Sequence, residues 1–115
     1  MVSCLFHSRT QVHVFHLQTK SFAEHKALND YYDGIINIVD GLIESYQGKY
    51  GILMNYTNLP IKNYTDNAQV VSYFMQLGEV VDVLRQDVQD SYLQNQIDNV
   101  TELIESTKYK LRFLA

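Results

Sequence analysis

The sequence predicts an all-α fold: a four-helix bundle with one long crossover between the second and third helices. Three observations carry that reading. Apolar residues recur at i, i+3/i+4 over four separate stretches. Two of those stretches open on residues that cap a helix, Ser21 with Glu24 and Asp66 with Gln69. The single proline, Pro60, lies in a polar link of roughly 16 residues between the second and third stretches. Only 5 glycines accompany it, few for a fold made of many turns. With 115 residues, 46% of them aliphatic or aromatic, the chain is expected to form a single domain, residues 1–115, around a real core.

The first helix is expected from about Ser3 to Gln18. Leu5, Val12 and Phe15 suggest one buried face, although the periodicity is imperfect. Thr19-Lys20 breaks it. The second begins at Ser21, whose hydroxyl is placed to accept from the Glu24 amide while Glu24 reaches back. Leu28, Tyr31/Tyr32, Ile35, Val39, Leu42 and Tyr46 then repeat at helical spacing, and Gly48 is the expected stop. That helix has about 26 residues and a length of roughly 39 Å. Gly51, Asn55, Asn58, Pro60 and Asn63 mark residues 49–64 as a loop. The third helix starts at Thr65 or Asp66 and carries Val70, Phe74, Leu77, Val81, Leu84 and Val88. After a break at Asp90-Ser91, the fourth carries Leu93, Ile97, Val100, Ile104, Leu111 and Leu114. Short loop, long crossover, short loop is the topology of ferritin-like four-helix bundles.

Charge narrows the functional classes. Nine Lys+Arg against 13 Asp+Glu give a net charge of −4, which argues against a protein that grips nucleic acid by overall basicity. No run of about 18 apolar residues is present to span a membrane, and the start lacks the pattern of a signal peptide. The single Cys4 fits a reducing, cytoplasmic setting. In that setting the Asn-x-Thr triplets at Asn55, Asn63 and Asn99 are read as chance matches. No glycine-rich phosphate loop, Ser-His-Asp order or paired zinc-type CxxC occurs, and Cys4 has no neighbouring base.

The chemistry-bearing residues lie near the N-terminus. All 4 histidines fall within residues 7–25. His7 is expected on the surface. Setting His25 at zero on the helical wheel, Ile36 lies at about 20°, Asn29 at about 40°, Asp40 at about 60° and Glu44 at about 100°. Asp40 and Glu44 are an i, i+4 carboxylate pair, which repels unless a proton or cation sits between them. His25 and Asp40 are separated by about 22 Å along the axis, so they cannot share an ion within one chain. Two copies packed antiparallel about a two-fold axis would set His25 of one opposite Asp40 and Glu44 of the other, twice. The tight turn would bring His16, or His13, beside His25. Two imidazoles, two carboxylates and Asn29 suit iron, manganese or zinc better than calcium or magnesium.

Here the chain resembles a known family. The segment from His13 through Val-Phe-His16-Leu-Gln-Thr-Lys-Ser-Phe-Ala-Glu-His25-Lys-Ala-Leu-Asn29, continued to Asp40-Gly-Leu-Ile-Glu44, is similar to the ferroxidase segment of Dps-type mini-ferritins. His25, Asp40 and Glu44 fall at the family's spacings. His13 keeps its spacing to His25, Leu17 stands where an aromatic would follow His16, and Asn29 replaces an acid. The resemblance covers about residues 10–48. It implies a homo-oligomer, a dimer at least and up to a hollow dodecamer, that binds iron and oxidises Fe(II) between subunits. The small size is also similar to short ferritin-like proteins encoded by phages. The family often binds DNA through basic tails. Here Met1–Gln11 holds only Arg9, and Lys108, Lys110 and Arg112 form a modest cluster, so no nucleic-acid role is expected. The alternative is a non-enzymatic helical assembly or interaction module that keeps the fold without the metal. The 9 tyrosines are expected in packing and interfaces.

Overall fold

Four helices form, α1 (Val2–Gln18), α2 (Phe22–Tyr50), α3 (Asn67–Asp87) and α4 (Ser91–Phe113), in a computed structural model that describes residues 1–114. The described residues contain no strand, so the protein is an all-α four-helix bundle. Among the described residues no helix is long and apolar enough to cross a membrane.

The caps foreseen in the sequence set two of the helix starts. Ser21 Oγ accepts from the Glu24 amide at 3.2 Å, and Asp66 Oδ1 accepts from the Gln69 amide at 2.8 Å. Neither box closes on itself. The Ser21 amide donates to Thr19 Oγ1, and the Glu24 carboxylate accepts from the Thr19 hydroxyl and from Asn67 Nδ2. Buried Glu24 therefore ties the α1–α2 turn to the first residue of α3. Gln69 reaches one residue further back, taking the Thr65 amide.

Gly48 does not stop α2. The helix runs on to Tyr50 and closes at Gly51, whose φ of 93° suits a residue without Cβ. A glycine inside a helix costs only about 1 kcal/mol, less than the backbone bonds of the last turn contribute together. α2 thus has 29 residues.

One core fills the bundle. Leu5, Val12 and Phe15 of α1, Leu28, Tyr31, Ile35 and Val39 of α2, Val70 and Phe74 of α3, and Leu93, Ile97, Val100 and Ile104 of α4 are almost fully buried. α2 packs on α1 and α4, and α3 packs on α4 and, more loosely, on α1. The crossover decides the directions. Thr57, Lys62 and Tyr64 hydrogen-bond to Ser3, Gln11 and Gln18, so the link runs alongside α1 and returns the chain to the end where α2 began. α3 is therefore parallel to α2, and every packed helix pair is antiparallel.

α1 looks poorly amphipathic in sequence because part of its inward surface is polar. Ser8, Gln11 and His16 are buried, and each has a partner. Ser8 Oγ donates to the Leu5 carbonyl, so Tyr31 Oη must donate to Ser8, at 2.8 Å. His7, expected on the surface, is half-buried instead. Its Nε2 donates to the Pro60 carbonyl at 2.8 Å, and its Nδ1 lies 3.0 Å from the Tyr73 hydroxyl.

Candidate functional site

The tight turn Thr19–Ser21 folds the end of α1 onto the start of α2. That brings His16 and His25 face to face, with ring centroids 3.6 Å apart and planes 20° apart. His16 Nδ1 lies 2.6 Å from the His25 carbonyl oxygen, and His25 Nδ1 lies 2.8 Å from the His16 carbonyl oxygen. A carbonyl only accepts, so each Nδ1 carries the proton. The neutral form of each ring then has its lone pair on Nε2, the atom left for a metal or a proton.

The stack continues along the α1–α2 edge. His13 lies flat on Tyr32, centroids 4.2 Å apart at 18°, and 6.0 Å from His16. Tyr32 also meets His16 edge-on at 5.1 Å. Its hydroxyl donates to Asn29 Oδ1 at 2.9 Å, and Asn29 Nδ2 donates to Asp33 Oδ2 at 3.3 Å. Phe22, exposed, lies beyond His25. A ladder of three imidazoles and a phenol thus runs along one edge of the bundle. His16 is buried, while His13, His25, Asn29 and Tyr32 are half-buried.

Of the residues singled out by sequence, the fold gathers His13, His16, His25 and Asn29. Asp40 and Glu44 lie about three and four turns beyond Asn29 along α2, exposed to solvent. Neither enters an ion pair among the described residues. Among those residues one chain assembles no group of three His, Cys, Asp or Glu side chains able to hold a metal ion. Sequence reasoning missed Tyr32. Its spacing would have shown it, since His25, Asn29 and Tyr32 stand at i, i+4 and i+7 and share one helix face.

The geometry restricts what the imidazoles can do. In-plane lone pairs of two nearly parallel rings do not converge on one ion. In this arrangement each imidazole is suited to an ion of its own. His25 is half-buried and His16 buried, and the one carboxylate hydrogen-bonded into this edge, that of Asp33, is taken up by Asn29.

Fold and site together define a four-helix bundle whose α1–α2 edge carries an imidazole–phenol ladder beside an acidic helix face. The chain belongs to a family of unknown function (DUF5856), whose profile matches residues 16–111. The match takes in His16, His25, Asn29, Asp40 and Glu44, and begins after His13. No curated protein and no solved structure matches the chain.

Proposed function

We propose that two copies of this protein pair antiparallel through α2 and hold first-row transition metal ions, iron foremost with manganese or zinc as alternatives, between them. In this reading His16 and His25 of one copy are neutral nitrogen ligands, with His13 at the rim. Asp40 and Glu44 of the other copy supply the negative charge, and Asn29 lines the site as a neutral group. Fe(II) bound there would be the substrate of a ferroxidase-type oxidation in which hydrogen peroxide accepts one electron from each of two Fe(II) ions and leaves as water, as in the ferritin-like proteins that the segment resembles. The assembly is a dimer or a larger shell built from such dimers.

The observation that carries the reading is the reciprocal Nδ1–H···O=C pairing of buried His16 and half-buried His25, which occupies Nδ1 of each ring and leaves its Nε2 outside that pairing. The exposed Asp40–Glu44 pair adds to it. An i, i+4 carboxylate pair with no cation is mildly unfavourable by itself, and a metal ion would offset that repulsion.

Anaerobic titration with Fe(II) and Co(II), together with sedimentation velocity, tests the proposal. The expected result is stoichiometric metal uptake by a dimer or larger species and loss of uptake in His25→Ala and in Asp40→Ala. A mixture of the two variants should recover part of the uptake, since a mixed dimer has one site with both its histidine and its aspartate. Absence of metal uptake by the wild-type protein would overturn the reading. A second reading would then stand, a metal-free interaction module. What favours it is that His16 and His25 already satisfy one another, and that Asn29 is engaged by Tyr32 and Asp33.

A further inference from the structure

At the opposite end of the bundle from the histidines, the core opens into a cavity of about 360 Å³. Leu42, Ile43 and Tyr46 of α2, Leu84 of α3, and Leu93 and Ile97 of α4 wall it, with the crossover's Leu53 closing one side. Leu42 and Ile43 keep a little exposure, 6% and 8%, while Val39 and Ile35, one and two turns earlier, keep 1%. α2, with 29 residues against 17 in α1, outreaches its neighbour at this end.

We propose that this cavity is a binding site for a small, largely apolar molecule bearing an uncharged or cationic head. The walls come from all four helices, with Val2 supplying the part of α1, and from the crossover, so the site is a concave recess of the core. Its volume lies in the usual range for ligand sites, which are mostly apolar with a few polar groups at one side. An apolar cavity of roughly 150 Å³ holds one benzene, so this one has room for a body of about ten to fifteen non-hydrogen atoms. The mouth selects the head. Asp87 and Gln89 line the cavity and are exposed to solvent, and Asp87 enters no ion pair among the described residues. Next to them the Asp90 carboxylate is already shared by Lys49 and the Tyr50 hydroxyl. An ammonium or hydroxyl head would meet the carboxylate of Asp87 as a hydrogen-bond donor. A carboxylate head would meet like charge there.

Three probes with one body separate the possibilities: 2-naphthol, 1-naphthylmethylamine and 2-naphthoate, each titrated into the full chain. Amide shifts of Leu42, Tyr46, Leu84 and Leu93 locate any binding. The amine and the alcohol are expected to bind saturably and to shift those amides, with the carboxylate at least tenfold weaker. Asp87→Asn should narrow the gap between amine and carboxylate. Leu84→Trp fills the cavity and should abolish binding, and Leu53→Trp serves the same end if Leu84→Trp fails to fold by circular dichroism. Absence of saturable binding by all three probes, or unchanged binding in a folded, filled variant, would overturn the site. Preference for the carboxylate would overturn the assigned head.

Discussion

The side-chain amide of Gln11 pairs with both backbone groups of Lys62, much as a neighbouring strand would. Its Nε2 donates to the Lys62 carbonyl at 2.8 Å, and its Oε1 accepts from the Lys62 amide at 2.7 Å. The pairing belongs to a row. Ser3 accepts from the Thr57 amide, His7 donates to the Pro60 carbonyl, and Gln18 accepts from the Tyr64 amide through Oε1 and donates to Asn63 Oδ1 through Nε2. From Ser3 to Gln18 the helix rises about 22 Å. From Thr57 to Tyr64 extended chain covers roughly 23 Å. The two match, so one polar stripe of α1 can hold the crossover along its whole length.

Gln11→Met should therefore loosen the crossover without disturbing the rest of the bundle. The loss of two hydrogen bonds to backbone groups costs about 1–2 kcal/mol. Hydrogen exchange checks it: the Lys62 and Tyr64 amides should exchange faster, while amides in the middle of α4 keep their protection. Uniform acceleration throughout the chain would show that the stripe supports the whole fold instead.

The stacked histidines should act as a unit. His16→Ala and His25→Ala each remove both the stack and one donor to a carbonyl, at about 1–3 kcal/mol apiece. The double variant should lose less than the sum, with a coupling of about 0.5–3 kcal/mol. Urea unfolding of the four proteins measures it. Additive losses would mean that the two rings contribute independently.

Alkaline pH should unfold the protein through its buried phenols. Burial pushes the hydroxyls of Tyr31 and Tyr73 well above the usual tyrosine range. In the unfolded chain both ionise near pH 10. Their neutral forms favour the folded state fully below that pH, and this contribution is lost as the pH rises beyond it. Stability should fall by about 1.4 kcal/mol per pH unit for each of the two above pH 10. Denaturation followed at several pH values gives the slope. Tyr31→Phe should reduce it by about half, and a slope unchanged in that variant would contradict the assignment.

Asp40→Asn should have opposite effects with and without metal. Without metal it relieves the repulsion with Glu44 and should raise stability by a few tenths of a kcal/mol, more at low salt. With Co(II) at about a hundred times its dissociation constant, the wild-type protein should gain roughly 2.7 kcal/mol. The variant should gain much less. Thermal melts with and without the ion distinguish the two states, and equal gains would remove Asp40 from the site.

The helices were largely legible because each carries its own signal. Phe74, Leu77 and Val81, or Ile97, Val100 and Ile104, repeat at spacings that allow only one face to be buried. Ser21 and Asp66 begin helices because a side-chain oxygen must satisfy an amide that the helix cannot. The second-helix stop was misread because a glycine is a permissive stop and not an obligatory one. Gly48 stays helical, and the turn needs the positive φ only at Gly51. The approach of His16 to His25 was legible from the short turn, whereas the roles of His7 and Tyr32 were hidden by partners distant in sequence or absent from the motif considered.

Local sequence by itself determined the helix count, the long crossover and the presence of imidazoles at the α1–α2 turn, because caps, periodicity and chain breaks act within a few residues. Tertiary structure alone decided that each imidazole is held as the Nδ1–H tautomer, that α1 turns a polar stripe to an extended segment, and that the core opens beside Leu84. Those features depend on backbone groups and side chains 45 to 54 residues apart, or on the directions that atoms face, and no spacing rule encodes either.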